Sequence, residues 1–468
     1  MDRPHPAVDA AAIRDLDARL HGDALGPADG GYRESRTVWN AMVNRHPAVV
    51  VRPVNTNDVV VAVEFARRRD LAIAVQSGGH NVAGNGVCDG GLLLDCSLLT
   101  AVEVDVETKT ARVEPGVTVG EFDRAAQAHG LATPSGIVST TGVAGLTLGG
   151  GWGWLSRSYG LAIDNLRAVE VVTADGEVRH ASDDEHADLF WGLRGGGGNF
   201  GVVTAFEFAL HEVGPMVLAG VLVYPFEAAG DLLRFHREFT ASAPEELCCY
   251  ASVRTAPSAS FVPADIRGER IVTAYLCYAG PIEDGERAIR PLREFREPLV
   301  DLVEPRRYTA FQGLFDDVYP PGYRNYWKSQ FVGEAGLSDE AIETLIEYAN
   351  AVTSPYTSIV IEHLGGAISR LDADASAYPH RDAGYSFNIF TRWADAAEDD
   401  EHIAWTRAFF AAMAPHLSDG VYVNFLSREE NERVRAAFGD NYDRLVELKR
   451  RYDPENLFRV NQNIAPQA

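Results

Sequence analysis

The chain runs to 468 residues, too many for one ordinary hydrophobic core and enough for two domains or for one domain interrupted by another. Hydrophobic residues make up 46% and charged residues 23%, which excludes disorder, collagen and a whole-chain coiled coil. Acids outnumber bases by 67 to 42, and the resulting net charge of −25 argues against a nucleic-acid partner held by charge.

The N-terminus, MDRPHPAVDAAAIRDL, lacks the apolar core of a signal peptide, and no apolar run reaches the roughly 18 residues of a membrane span. A cytoplasmic protein with no membrane partner is expected. Residues 57–69 predict a helix, with Asn57 as its cap and three arginines at its end. LAIAV (71–75) and LLLDCS (92–97) read as buried strands, with the turn-rich QSGGHNVAG between them. The five cysteines (Cys88, Cys96, Cys248, Cys249 and Cys277) make no CxxC pair, so neither a disulfide framework nor a metal site is expected. Residues 101–114 alternate like a hairpin broken near Thr108 and Lys109. Thr118 and Glu121 have the spacing of a capping box, opening a helix that Gly130 closes. Asp175-Gly176 turns a second hairpin across 168–182.

After residue 212 the texture changes. Stretches 217–225, 247–254 and 270–279 read as strands, and 339–352 and 400–413 as helices. This segregation is that of an α+β domain. Ser427 and Glu430 form another capping-box pattern, and 441–451 reads as the last helix.

Glycines concentrate at 76–86, 142–153 and 194–201. Glycine lets backbone N–H groups approach a ligand with no Cβ between, and successive free N–H groups make an anion nest. One such cluster is more often a set of turns; three beside strand and helix patterns point to a large phosphate-bearing cofactor. Gly196, Gly198 and Gly201 spell G-x-G-x-x-G, but a helical pattern precedes them and a strand follows, the reverse of a nicotinamide-binding unit. His80 sits inside the first cluster, directly after a buried strand, where a neutral imidazole can act as a nucleophile.

Four segments, QSGGHNVAG, TTGVAGLTLGGGWGWLSRSYGLAIDN (140–165), DLFWGLRGGGGNFGVVT (188–204) and YDPENLFRVNQNI (452–464), occur in this order. Together they resemble the FAD-linked oxidases of the vanillyl-alcohol-oxidase fold, which carry a PCMH-type FAD-binding domain. The nearest branch is the berberine-bridge-enzyme-like one, in its bacterial form. The resemblance implies a two-domain α+β flavoprotein: an FAD domain over 1–212, a substrate domain with a helix-covered antiparallel sheet over 213–424, and a segment 425–468 returning to the FAD domain.

It also implies roles. His80 matches the histidine that bonds covalently to FAD. Gln76, Ser77, Gly78, Gly79, Asn81 and Gly84 match the pyrophosphate loop. Gly136, Thr140, Thr141, Gly142, Gly145, Gly150 and Gly153 match a second FAD-lining stretch, with Val203, Asn461 and Asn463 adding contacts. Two departures stand out. Val138 occupies the place of a second flavin-linking cysteine, so attachment through His80 alone is expected. Phe425, in YVNF, replaces a tyrosine base.

Glu362, in the strand-like SIVIEHLGG, is then the candidate base. Burial raises a carboxyl pKa toward a useful value. His363 points the other way if the strand is regular. Tyr422 and Asn424 share one face and are expected beside Glu362. Trp152, Trp154, Tyr326 and Lys328 are candidate substrate-lining residues. The implied activity is hydride removal from a small alcohol, amine, phenolic or polyketide-like substrate, with O2 as acceptor and H2O2 as product. The alternatives on the same scaffold are an oxygenase or oxidative cyclase, a dehydrogenase using another acceptor, and a flavin-binding protein without turnover.

Overall fold

The apolar triplets Val49–Val51 and Leu92–Leu94 form the centre of the first sheet. Each is buried on both faces, as parallel strands are. The computed structural model describes residues 8–258 and 262–467. The first sheet runs in the order Asp23–Leu25, Val49–Arg52, Leu92–Asp95, Ile73–Gln76, with the last three parallel. Helix Thr56–Arg68 makes the crossover. Its cap is Asn55, two residues before the expected Asn57; the Asn55 carboxamide oxygen accepts from the Asp58 backbone N–H at 3.0 Å. The strand Ile73–Gln76 delivers the chain straight into the first glycine loop.

The second sheet is antiparallel, in the order Val102–Asp105, Thr110–Val113, Val202–Ala209, Leu166–Val172, Val178–Ser182. Both predicted hairpins belong to it. Gly176 takes φ +86° in one turn, and Lys109 takes φ +51° in the other. The Thr118–Glu121 box closes as read: the Thr118 backbone N–H donates to Glu121 Oε2 at 2.8 Å and starts helix Val119–Gln127.

The third sheet is the largest. Its antiparallel order is Val300–Asp301, Met216–Pro225, Arg270–Tyr278, Leu247–Thr255, Ser358–His363, Tyr385–Trp393, Arg324–Val332, and Glu304–Arg307 also pairs with Met216–Pro225. One face packs under helices Ala229–Thr240, Ile282–Phe295, Asp339–Asn350 and Asp399–Met413. Cys249, Ala251, Val253, Ile359 and Ile361 point to that face. Residues at the alternate positions face the rest of the protein across a cavity.

The C-terminal segment departs from expectation. The Ser427–Glu430 box forms, with the Ser427 N–H donating to Glu430 Oε2 at 2.9 Å, but a 3₁₀ turn over Asn431–Arg433 precedes a short helix, Val434–Phe438. Val423–Phe425 is a 3₁₀ turn capped by Tyr422, not a strand. Helix Tyr442–Tyr452 then presents Lys449 to the tail. The Lys449 ammonium, with no exposed surface, donates to Asp453 Oδ2 at 2.6 Å and to the carbonyls of Asn199 and Phe458, both at 2.8 Å. Asp453 accepts in turn from the N–H groups of Leu457 and Phe458. This buried pair ties the tail to the third glycine loop. Among the described residues, no helix is long and apolar enough to cross a membrane.

Candidate active site

The cavity lies between the glycine loops and the large sheet. Its first wall is backbone. Gln76–Asn81, Thr141 and Gly142, Gly145, Gly196–Asn199, Gly201 and Val203 line it, with Gly136 and Asn461. Two of these loops touch main chain to main chain. A Cβ on Gly78 would lie 2.3 Å from the Gly142 nitrogen, and one on Gly142 would lie 2.1 Å from Ser77 Oγ. Only glycine permits that approach. A Cβ on Gly145 or Gly198 would meet no protein atom within 4 Å, so the backbone there is open to a ligand. Ser77 Oγ, Gln76 Oε1 and Asn461 Oδ1 are buried without a hydrogen-bond partner in the chain. Unpartnered polar atoms over a glycine-lined hollow fit a dinucleotide's phosphates and sugars.

His80 stands where this wall meets the sheet. Its ring stacks on Trp39 at 5.3 Å, and Nε2 lies 3.0 Å from Thr140 Oγ1. Burial lowers its pKa to about 4, so the imidazole is neutral and keeps a nitrogen lone pair. Val138 lines the same cavity.

The second wall is side chains. Tyr250, Ser252, Arg254, Tyr275, Trp327, Val360, Glu362 and Phe390 come from the large sheet, joined by Trp152, Tyr422, Asn424 and Phe425. Glu362 is the one carboxylate among the described lining residues. Its Oε2 accepts from Trp152 Nε1 at 3.2 Å and from Asn388 Nδ2 at 2.9 Å. Burial pushes its pKa up to about 7, against the opposing pull of donors Trp152, Asn388 and Ser386. His363 faces the other side and contacts Arg157 at 2.8 Å, as strand alternation requires.

Tyr422 Oη accepts from the Gly151 N–H and from Asn424 Nδ2, each at 3.0 Å, which leaves its own proton free to donate. Burial raises its pKa, so it is a neutral donor and not a phenolate. The Asn424 amide nitrogen also donates to the carbonyls of Gly145 and Leu146. Asn424 therefore braces Tyr422 against the glycine wall.

Several expected positions lie elsewhere. Tyr326 and Lys328 do not line the cavity. They point to the helix side, where Lys328 meets Glu429 and Glu430 at 3.0 and 3.1 Å and Tyr326 bonds Glu429. Trp327, the residue between them, takes the lining place. Trp154 is packed against Tyr250, Phe311 and Phe315 in a separate core, behind the wall. Gly84, Gly150 and Gly153 also stand behind the surface. Their lack of a Cβ serves packing: one on Gly84 would meet Val43 at 2.5 Å, and one on Gly153 the Ser135 carbonyl at 2.2 Å. Gly150 takes φ +134° beside Tyr378 and Tyr422. Thr140 reaches the site through His80, and Asn463, half-buried with an unpartnered Oδ1, lies off the lining.

Residues 47–182 match the family described as FAD binding domain, and residues 421–465 match berberine and berberine-like. A FAD-linked oxidoreductase of Dictyostelium discoideum is 35% identical, over 92% of this chain and 91% of its own. The chain belongs to the berberine-bridge-like FAD-linked oxidoreductases. The (R)-6-hydroxynicotine oxidase of Paenarthrobacter nicotinovorans is 31% identical, over 96% of this chain and 97% of its own. The crystal structure of 6-hydroxy-D-nicotine oxidase from Arthrobacter nicotinovorans superposes with a TM-score of 0.86 at 29% identity, covering 96% of this chain and 98% of that one. As a FAD-linked oxidoreductase of this family, the chain is an enzyme with the two-domain α+β flavoprotein fold. The lining of the hollow between its walls fits FAD, which the glycine loops would hold.

Sequence reasoning missed most of the sheet wall. Tyr250, Ser252 and Arg254 carry a signal in hindsight, since they alternate along one strand with buried apolar residues. Trp39 carries none; it comes from a loop and meets His80 only in the fold.

Proposed function

We propose that this enzyme is an oxidase that carries FAD on His80 alone and uses Glu362 as its base. The observation that carries the reading is Glu362 itself: a buried carboxyl with a pKa of about 7, facing a cavity whose described lining holds no other carboxylate. When bound, FAD supplies the hydride acceptor and is reoxidised by O2, which leaves as hydrogen peroxide. The substrate gives up a hydride from carbon and a proton from the neighbouring O–H or N–H. Glu362 takes the proton at an Oε that Trp152 and Asn388 hold in place. Tyr422, kept neutral by burial, donates a hydrogen bond to the substrate. The neutral His80 imidazole supplies the lone pair for the tether, and aliphatic Val138 offers no second one. The aromatic wall of Trp152, Tyr250, Trp327, Phe390 and Phe425 suits a flat substrate, a phenolic, alkaloid or polyketide-like molecule above a sugar.

Acid precipitation tests the tether, with yellow colour expected in the pellet of the native protein and absent from that of His80→Ala. Peroxide released per substrate oxidised, expected at one to one, tests the acceptor. A colourless native pellet overturns the tether. Reoxidation in air without peroxide overturns the oxidase reading.

A further inference from the structure

Arg254 lines the cavity with 7% of its surface exposed, and Arg392 lies behind it with 5% exposed. The two guanidiniums are close enough to repel. Neither has an ion-pair partner: no carboxylate among the described residues lies within 4 Å of either. Acids outnumber bases by 67 to 42, and the half-buried Arg324 and buried Arg381 are matched by Asp399 and Asp164. Arg392 is accommodated by its surroundings. It sits over the rings of Tyr323 at 4.7 Å, Tyr319 at 5.3 Å and Tyr356 at 5.6 Å, and donates to the Val318 carbonyl. Arg254 has no carboxylate either. Its Nε reaches the Thr255 carbonyl at 3.4 Å, it hydrogen-bonds the Tyr275 phenol, and Tyr319 lies close by, all of them neutral partners. Ser252, two residues along the same face, keeps a buried hydroxyl without a partner. Buried charge is ordinarily paired, and a cation left unmatched at a cavity wall marks where an anion docks.

Strand register gives the site its direction. Ala251 pairs with Ile361, so Tyr250 stands beside Glu362 and Arg254 beside Ser358. The cation and the carboxyl thus lie four residues apart along the sheet, about 13 Å of strand. Tyr250 and Val360 fill the wall near Glu362, and Trp327 and Phe390 fill it near Arg254. One end of the cavity is basic, the other holds its only described carboxylate, and aromatic rings flank both ends with Ser252 and Val360 between them.

We infer that the Arg254 end of the cavity binds an acidic group of the substrate, so that the enzyme's substrates are flat aromatic acids held with the carboxylate at Arg254 and the reacting carbon toward Glu362. This rests on the oxidoreductase reading above and narrows it to a substrate class. Glu362 reinforces the orientation, because its own ionised form repels an acid placed at the wrong end.

Calorimetric titration of the FAD-loaded protein with 2-naphthoate and with its neutral counterpart 2-naphthamide tests the inference without requiring turnover. The naphthoate is expected to bind roughly tenfold or more tightly than the amide. Arg254→Met should erase that preference while leaving amide binding intact, and Arg254→Lys should keep part of it, because the charge remains and the planar fork is lost. Equal affinity for the two probes, no binding of either, or an undiminished preference in either variant would overturn it. A protein that holds no flavin or forms no peroxide, yet prefers naphthoate through Arg254, would overturn the oxidase reading and leave the acid site standing. Peroxide formed from neutral substrates, with no naphthoate preference, would do the reverse.

Discussion

The two walls of the cavity are made of different material. The first is backbone: glycine loops whose chains touch at Gly78 and Gly142, braced by a tail that Lys449 and Asp453 lock in place. The second is side chains projecting from a sheet whose opposite face is a closed apolar core. The difference teaches a division of labour. A backbone wall presents fixed N–H groups and, where its loops touch, tolerates no added atoms, which suits holding a cofactor. A side-chain wall can exchange one residue for another without moving the strand, which suits choosing a substrate and moving its proton. Damage to the first wall should therefore loosen the flavin and the fold, and damage to the second should change the chemistry.

The largest break in this comparison comes from Glu362→Gln. The amide keeps the volume and accepts the same two hydrogen bonds but takes no proton. We expect kcat/KM to fall by about 10²–10⁴-fold at pH 8, with flavin retention unchanged. In the native enzyme kcat/KM should rise as pH passes through about 7, where Glu362 ionises, and this limb should vanish in the variant. A pH–rate profile that keeps its limb in Glu362→Gln would assign the base elsewhere.

The first wall yields to a different change. Lys449→Met removes the cation and leaves the Asp453 charge buried with only two backbone donors. A broken buried pair costs about 3–5 kcal/mol. The same change frees the Asn199 and Phe458 carbonyls, and both residues line the cavity. We expect a lower melting temperature and slower flavin incorporation, with an unaltered pH limb in the protein that does load. Lost stability with normal loading would mean that the tail braces the fold and not the cofactor wall.

The contrast also explains what the sequence made legible. The glycine wall is local: each loop is a contiguous motif, so the family, the fold class and most of the lining glycines could be read directly. The sheet wall is assembled by register. Tyr250 and Glu362 stand side by side across more than a hundred residues, Trp327 joins the same wall from two strands away, and no local pattern states which strands are neighbours. Tyr326 and Lys328 show how sharp the requirement is: a one-residue difference in strand phase sends both to the helix side and turns Trp327 inward. Trp154 fails in irregular chain, where alternation offers no guide: Trp152 lines the cavity as expected, while Trp154 packs in a core. Glu362 was legible because its strand is regular and its neighbours apolar. Arg254 met the same conditions, but a lone arginine near a strand end gives no hint that its partner is missing until the fold shows what surrounds it.

The smallest expected effect sharpens the comparison at the seam between the walls. Asp123, on helix Val119–Gln127, is buried with its Oδ2 accepting from Gln312 Nε2 at 2.8 Å, and the same amide donates to the carbonyl of cavity-lining Gly136 at 2.9 Å. Burial pushes the Asp123 pKa up to about 7, the value that Glu362 also reaches. Two carboxyls with the same titration thus sit in different places, and they should govern different observables. A carboxyl whose pKa is raised in the folded state favours folding when protonated. Its contribution is complete below about pH 4 and is lost as pH rises through about 7. Asp123→Asn keeps an oxygen for Gln312 and removes the titration. The linkage ceiling is about 4 kcal/mol at high pH, and we expect about half of it after relaxation around the charge. The variant should melt several degrees above the native protein at pH 9 and close to it at pH 4, while its kcat/KM keeps the limb near 7. If Asp123→Asn also flattened that limb, the rate would be reporting the seam, and Glu362 would lose its claim to the proton.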